Sequence, residues 1–404
     1  MKLWIDAARI SAERVFGMTM LERHIKAARH QKLMLTEVIV DIGLAAAEPA
    51  CPEEPRLGCP IRIVRGEGSV ADRLGRALAD GEALIATDAA TLADARLYRF
   101  LAERTGSCAA RENRAVIARI EPDDAARLLA APTLDAAISH LPEVRQEDFP
   151  SFVVKLRRAL PYYLFAVTND AERRSVERFL FWSNYKGSTD FFTKYVYPPL
   201  VWAMVPPLAR LRVHPNTVTI ISIVLTLLAV PLAAAGEFWW SFACAYGMSV
   251  LDSVDGKLAR LTFTDSAIGN VLDHGLDIVH PPFWYFGWAA GLLGGWTLVG
   301  WSEPLWQAAW IMLALYILDR LILAIYRAKF KRGLHTHAPI DALVRTFISR
   351  RNINLPFFTV AYAAGYAIEA FYLIVAWQAA TCAYHGLRTF WILAIERKPA
   401  SARD

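Results

Sequence analysis

The sequence predicts a bundle of six membrane-crossing helices attached to an N-terminal soluble α/β domain, and three observations predict it. Hydrophobic residues make up 55% of the 404, which is high for a soluble protein. The excess is confined to one half of the chain. Residues 1–195 carry ordinary charge density, whereas 196–395 hold long apolar runs rich in Trp, Tyr and Phe, as bilayer spans with interfacial aromatic belts do. The first 140 residues alternate short strand-like runs with amphipathic stretches, the pattern of a doubly wound sheet. The division is therefore residues 1–140 as the soluble domain, 141–194 as a linker and 195–398 as the membrane domain, opened by an interfacial helix at 195–212.

The elements follow in order. The stretch Met20 to Ala28 has helical periodicity, and Thr36 to Ile42 and Ile61 to Val64 read as buried strands. Helices are expected over 71–80, 90–104 and 122–131, with strands at Ala83 to Ala86 and Val116 to Ile120. The start, MKLWIDAARISAERVFG, has no continuous apolar core, so no secretory signal is expected. Pro142, Pro150 and Pro161 punctuate the linker. Residues 195–212 are amphipathic, with aromatics and with Arg210 and Arg212 at the end, as for a helix lying along a membrane surface. Spans of about 20 residues each are expected near 217–236, 239–261, 266–291, 305–327, 354–369 and 370–394.

Charge gives the orientation. The connections around 236–238 and 292–304 contain no Lys or Arg. The connection 327–351 contains Arg327, Lys329, Lys331, Arg332, Arg345, Arg350 and Arg351, and the C-terminal tail adds Arg388, Arg397 and Lys398. The positive-inside rule places these segments, both termini and the soluble domain in the cytoplasm, for a multi-pass protein of the inner or plasma membrane. The net charge of +5 is explained by these flanks, and no nucleic-acid module is visible. Cys51, Cys59, Cys108, Cys244 and Cys382 are scattered without CxxC spacing, as free thiols in a reducing compartment.

The chemistry concentrates in Leu251 to Asp277, whose pattern is D-x2-D-G-x2-A-R-x8-G-x3-D-x3-D: Asp252, Asp255, Gly256, Ala259, Arg260, Gly269, Asp273 and Asp277. Residues three and four apart share a helix face. One helix thus presents Asp252, Asp255 and Ala259 together, and the next presents Gly269, Asp273 and Asp277. Carboxylates inside or beside membrane helices are expensive and point to function. Four of them at one place call for hard cations with oxygen ligands, Mg2+ first, which commonly shares its sites with phosphates. Two such ions would clamp a diphosphate. Gly256 and Gly269 permit close approach, and Arg260 suits a phosphate. The plain alternative is charge pairing within the bundle.

This complete pattern resembles the signature of the CDP-alcohol phosphotransferases, and all eight positions match. The resemblance implies an integral membrane enzyme that displaces CMP from a CDP-activated alcohol with a second alcohol. Asp252, Asp255 and Asp273 would hold two divalent cations (Mg2+, with Mn2+ as substitute). Asp277 would take the proton of the attacking hydroxyl and also touch one metal. Gly256, Ala259, Gly269 and Arg260 would accommodate the cytidine nucleotide. His214-Pro215-Asn216-Thr217-Val218-Thr219, preceded by Lys186 and Asp190, resembles the entry to the catalytic domain in fused cytidylyltransferase–phosphotransferase proteins. Asn216 and Thr219 thereby become candidate nucleotide contacts, with helix N-capping as the plain alternative. The partners implied are a CDP-alcohol donor (CDP-diacylglycerol or a CDP-polyol), an alcohol acceptor, membrane lipids and a second copy in a homodimer.

The N-terminal domain is similar to the sugar-phosphate nucleotidyltransferase fold at Gly17 to Arg23 and at Thr87-Asp88, where that family keeps a metal-binding aspartate. It departs where that family has a Gly-rich loop. Ile5 to Ser11 runs on to Gly17 without a glycine, so the phosphate cradle is missing and a degenerate, inactive domain is expected. Three other functions remain open: a bifunctional enzyme that also makes its CDP-alcohol, a non-catalytic docking or dimerisation module, and a divalent-cation transporter. Lys257 is placed either on the diphosphate or at an exposed helix end. Asp319 and Arg320 are expected to pair with each other inside the fourth span, and Arg345, Arg350 and Arg351 to meet lipid phosphates or anchor their loop. His274 and His280 are left out of the site, because imidazole suits Mg2+ poorly.

Overall fold

The computed structural model describes residues 1–44, 48–49, 54–264, 267–296 and 302–395, with the main chain alone for Pro55 and 267–279. The soluble part is built on a six-stranded sheet. Its strands are β1 (Lys2–Asp6), β2 (Glu37–Asp41), β3 (Ile61–Val64), β4 (Leu84–Asp88), β5 (Cys108–Glu112) and β6 (Ala115–Ile120). The spatial order is β3-β2-β1-β4-β6-β5, with the first four parallel and the last two antiparallel. The sheet is thus mixed, and its central strand β1 is one that periodicity did not reveal.

Alternation along the strands feeds two cores. On one face Leu3, Ile5, Val38, Val40, Ile85 and Ile117 pack against α1 (Met20–His30) and α3 (Ala95–Glu103). On the other, Trp4, Ile39, Ala86 and Val116 pack against α2 (Val70–Leu78) and the single turn α4 (Leu134–Ala137). Local signals set the ends: Thr19 caps α1, Ser69 and Asp72 form a capping box on α2, and Asp94 caps α3. Residues 91–93, expected in a helix, form a short strand with 164–166, and 122–127 is a 3-10 segment rather than a full helix.

The stretch expected as a linker contains α5 (Asp170–Ser183), capped by Asn169. Its buried residues Val176, Leu180 and Phe181 join a core shared with the next three helices. These are α6 (Pro198–Arg210), α7 (Pro215–Ala234) and α8 (Phe238–Thr262). Val15, Phe16 and Met20 of the soluble part belong to the same core as Val201, Val205, Val218, Val254, Leu258 and Leu261 of the helical part. The two halves therefore share one interior.

Helices α9 (Ala267–Leu292), α10 (Pro304–Phe330), the short α11 (Pro339–Val344), α12 (Arg351–Ala363) and α13 (Ala367–Ala394) complete the chain. Helix α7 packs on both α8 and α9, and α10 packs on α13. The α7–α9 contact is close enough that a Cβ at Gly291 would collide with the carbonyl of Ala233. Among the described residues, three helices are long and apolar enough to cross a membrane: α7, α10 and α13. This is an integral membrane protein with a soluble α/β part. The expected border between the last two spans moves: α12 ends at Ala363, Gly365 turns the chain at φ +83°, and α13 starts at Ala367.

Candidate active site at the head of the helix bundle

Helix α8 carries Asp252 and Asp255 one turn apart, as their spacing requires, and two neighbouring helices meet them. Asp255 is buried, and the hydroxyl of Thr219 on α7 donates to its Oδ2 at 2.6 Å. Asp252 is half-buried and pairs with the Nη2 of Arg351, at the start of α12, at 2.7 Å. The Nη1 of the same guanidinium lies 3.1 Å from Nε2 of His280 on α9. Arg351 thus ties α8, α9 and α12 together at the carboxylates. Neither Arg351 nor His280 was assigned to the site from sequence. Their partners are remote along the chain, and basic residues at helix ends look alike whether they anchor or bind.

The following residue, Asn352, extends this network. Its Nδ2 donates to the Oγ1 of Thr193 at 3.0 Å and to the buried Asp190 at 3.4 Å. Asp190 in turn accepts from the backbone N of Thr193 at 2.9 Å. The segment before α6 is thereby stapled beside Arg351. Outside the helices, Arg157 of the soluble part, Arg345 and Arg350 stand close enough to repel one another. Burial, together with this like charge, holds the Arg157 and Arg345 guanidiniums below their ordinary range, while Asp190 opposes the effect at Arg345.

The remaining motif positions divide into two groups. Arg260 lies along its own helix, where a Cβ at Gly256 would come within 3.4 Å of its Nη1, so Gly256 leaves room for that guanidinium. Ala259 sits one turn after Asp255, half-buried. Gly269, Asp273 and Asp277 lie on α9 at helical intervals of four, as does His274 nearby, but their side chains fall outside the described residues. Among the described residues no three His, Cys, Asp or Glu side chains are gathered as a metal cage. The donors in view, Asp252 and Asp255, are carboxylate oxygens on one face, which is the chemistry Mg2+ prefers.

Several sequence expectations change. The N-terminus of α7 is capped by the imidazole of His214, which accepts from the N–H of Asn216, so capping is not the role of Asn216. Thr219 is turned to Asp255. Lys257 does not stand at an exposed helix end. It is buried, donates to the carbonyl of Phe181 at 2.8 Å, and stands over the rings of Tyr185 (3.0 Å) and Phe181 (4.2 Å). Asp319 pairs with Nδ1 of His385 at 2.5 Å, whereas Arg320 lies over Tyr316. Asp88 ends β4 and accepts from the N–H of Ala90 at 2.6 Å, an ordinary turn at a strand end.

The region that builds this site has known counterparts. Residues 212–390 match the model of the CDP-alcohol phosphatidyltransferase family. Over this region the chain is similar to that family. Among curated proteins it is 35% identical to cholinephosphotransferase 1 of Xenopus laevis over 119 residues, which are 26% of this chain and 29% of that protein. It is 32% identical to cholinephosphotransferase 1 of Homo sapiens over 103 residues, covering 22% of this chain and 25% of that protein. The mouse protein of the same name is 30% identical over 103 residues, 22% of this chain and 26% of its own length. The similarity thus spans less than a third of these relatives.

Proposed function

We propose that this protein is a phosphotransferase of lipid biosynthesis that moves a substituted phosphoryl group from a CDP-alcohol to a second alcohol and releases CMP. The observation that carries the reading is the pair Asp252 and Asp255, presented on one face of α8 and held by Thr219 and Arg351 inside the region matched by the family. With Asp273 and Asp277 of α9 they would hold two divalent cations, Mg2+ or Mn2+. Such ions supply charge neutralisation on a diphosphate. Asp277 accepts the proton of the acceptor hydroxyl. The acceptor oxygen then forms a bond to the phosphorus bearing the donor alcohol, and the bond from that phosphorus to the bridging oxygen of CMP breaks. Asn216, Gly256, Ala259, Arg260 and Gly269 would border the cytidine nucleotide. Thr219 serves it indirectly, by holding Asp255.

The donor is proposed as a class. The curated relatives are named for phosphocholine transfer, while the basic group of Arg157, Arg345 and Arg350 favours substrates that carry further negative charge. Six passes of the chain (α7, α8, α9, α10, α12 and α13), with the site, the soluble domain and both termini in the cytoplasm, accord with Arg327, Arg345 and Arg350 of the basic connection standing near Arg157 of the soluble part. A homodimer is proposed with this reading. The test is CMP release by purified full-length protein with Mg2+, using CDP-choline and CDP-diacylglycerol against a panel of alcohol acceptors. Release that requires one donor–acceptor pair supports the reading. Cation uptake into proteoliposomes without CMP release refutes it in favour of transport.

A further inference from the structure

We infer that the soluble α/β domain is a clamp on the hairpin of α8 and α9, and that Arg23, Arg29 and Phe263 are positioning residues for the carboxylate site. This rests on the proposed reaction for its catalytic consequence, though not for its geometry. The two halves of the carboxylate motif are joined by only eight residues between Arg260 and Gly269. Helix α8 ends in that stretch. Its C-cap, Phe263, takes a left-handed conformation at φ 53°, ψ 38°, a region that bulky residues rarely adopt without outside support. The support comes from α1 of the soluble domain. Arg23 Nη1 donates to the carbonyl of Leu261 at 3.1 Å, and Arg29 Nη2 donates to the carbonyl of Phe263. Two guanidiniums thus satisfy carbonyls at a helix C-terminus, where positive charge is also favoured by the helix dipole.

The Phe263 side chain completes the hold. It packs against the soluble core, with its ring 5.5 Å from that of His30 and 5.3 Å from the Arg23 guanidinium carbon. It closes a small socket formed by His24, Ala27, Thr91, Leu92 and Tyr98. Arg23 is 7% exposed, and burying a guanidinium is costly unless its donors are used. Here it spends one on the hairpin and one on the carbonyl of Val15, at 3.4 Å. A second anchor holds the same helix one turn earlier. Lys257, two residues after Asp255, is fixed by Phe181 of α5, and α5 is bound to the soluble domain through Glu177, which accepts from the backbone N–H of Phe16 at 2.8 Å.

Doubly wound sheets take ligands beyond the carboxyl ends of their strands, at the point where strand order reverses. In this sheet that point lies between β1 and β4. Next to it, Asp6 of β1 and Asp41 of β2 are both bound by Arg73 of α2, at 3.0 and 3.2 Å. All three side chains are nearly fully buried. The β1–β2 part of this edge is filled by the protein's own ion pairs.

The experiment uses the full-length protein in lipid nanodiscs, comparing wild type with Arg23→Met, Arg23→Lys, Phe263→Ala and Asp252→Asn. Amide hydrogen exchange over 251–279 is expected to accelerate at least ten-fold in Arg23→Met and Phe263→Ala, with exchange in β1, β2 and β4 unchanged. Mn2+ binding, followed by its electron spin resonance, should weaken about ten-fold. The kcat for CMP release should fall between ten- and 100-fold with the donor KM within about three-fold, because misplacement by an ångström acts on the reacting geometry more than on binding. Arg23→Lys keeps a donor and should recover part of the loss. Unchanged exchange over 251–279 in Arg23→Met and Phe263→Ala overturns the clamp whatever the activity, as does an unchanged kcat in both. If the wild type releases no CMP, or Asp252→Asn binds Mn2+ as well as wild type, the proposed reaction fails while the exchange measurement still judges the clamp.

Discussion

Replacing Thr219 with valine probes the support of the carboxylates with almost no change of shape. Both side chains are β-branched and suit the same helical rotamers, and the site on α7 is buried. The hydroxyl donates to Asp255 Oδ2 at 2.6 Å, and Asp255 itself is 4% exposed. A hydrogen bond to a charged group contributes about 1.5–3 kcal/mol, and a buried acceptor deprived of its donor carries the full desolvation cost. At about 1.4 kcal/mol per factor of ten, that corresponds to roughly 10- to 150-fold. A group that orients a metal-holding carboxylate typically changes metal affinity by about 10- to 100-fold when removed, so the two estimates overlap. The assay is the initial rate of CMP release as a function of Mg2+ concentration. Thr219→Val should need about 10- to 100-fold more Mg2+ for half-maximal rate, and Thr219→Ser should stay within about three-fold of wild type. An unchanged Mg2+ curve in Thr219→Val, with folded protein, would refute the view that Thr219 acts through Asp255.

Other expectations concern stability. His24 is buried against the hydroxyl of Tyr98 and the carbonyl of Asp88, and burial lowers its pKa from 6.5 to about 4. Because the folded state binds this proton less tightly, its contribution is fully present above pH 6.5 and is lost as pH falls towards about 4. The difference is roughly 3 kcal/mol, to be read as a steeper acid destabilisation of wild type than of His24→Gln in denaturant melts of the full chain. Asp88 works in the opposite sense. Burial, and more weakly the neighbouring Asp6, raises it to about 6, so stability from this group grows as pH falls through 6, and Asp88→Asn should melt higher than wild type at pH 7.5. Gly291→Ala should separate α7 from α9, because its Cβ would meet the Ala233 carbonyl; the check is a lowered melting temperature in detergent and reduced activity. Asp319→Asn removes the carboxylate that meets buried His385 and should destabilise by about 1–3 kcal/mol, measured by denaturant titration in micelles.

What the sequence disclosed and what it withheld have physical causes. The carboxylates at 252 and 255 stood out because helical spacing alone places them together, and no tertiary information is needed for that. Arg351 and Thr219 are joined to them by contacts across 99 and 36 residues of chain, which no local pattern encodes. Lys257 shows the same limit from the other side. Its place next to Gly256 suggested a phosphate, yet a rotation of two residues along a helix turns it to the opposite face and into the aromatic pocket of α5. Strand β1 was missed because Lys2 to Asp6 holds a single β-branched residue, Ile5, where β2 carries the run Val38-Ile39-Val40; it is nonetheless the buried centre of the sheet, its Asp6 bound by Arg73. Helix α5 was missed because Asp170 to Ser183 is rich in charge, and only its capping Asn169 and one apolar edge betray it.

The proposed reaction is transfer of a phosphoryl group by carboxylates on α8 and α9. It is tested most directly by following a donor CDP-alcohol labelled with 32P in the phosphate that bears the alcohol, using purified full-length protein and Mg2+. The label should pass into the new phosphodiester in amounts equal to unlabelled CMP released, and Asp252→Asn and Asp277→Asn should each reduce this transfer by at least about 10²-fold. Label transferred at wild-type rate by both variants, or CMP released with the label left on it, would rule out phosphoryl transfer by these carboxylates.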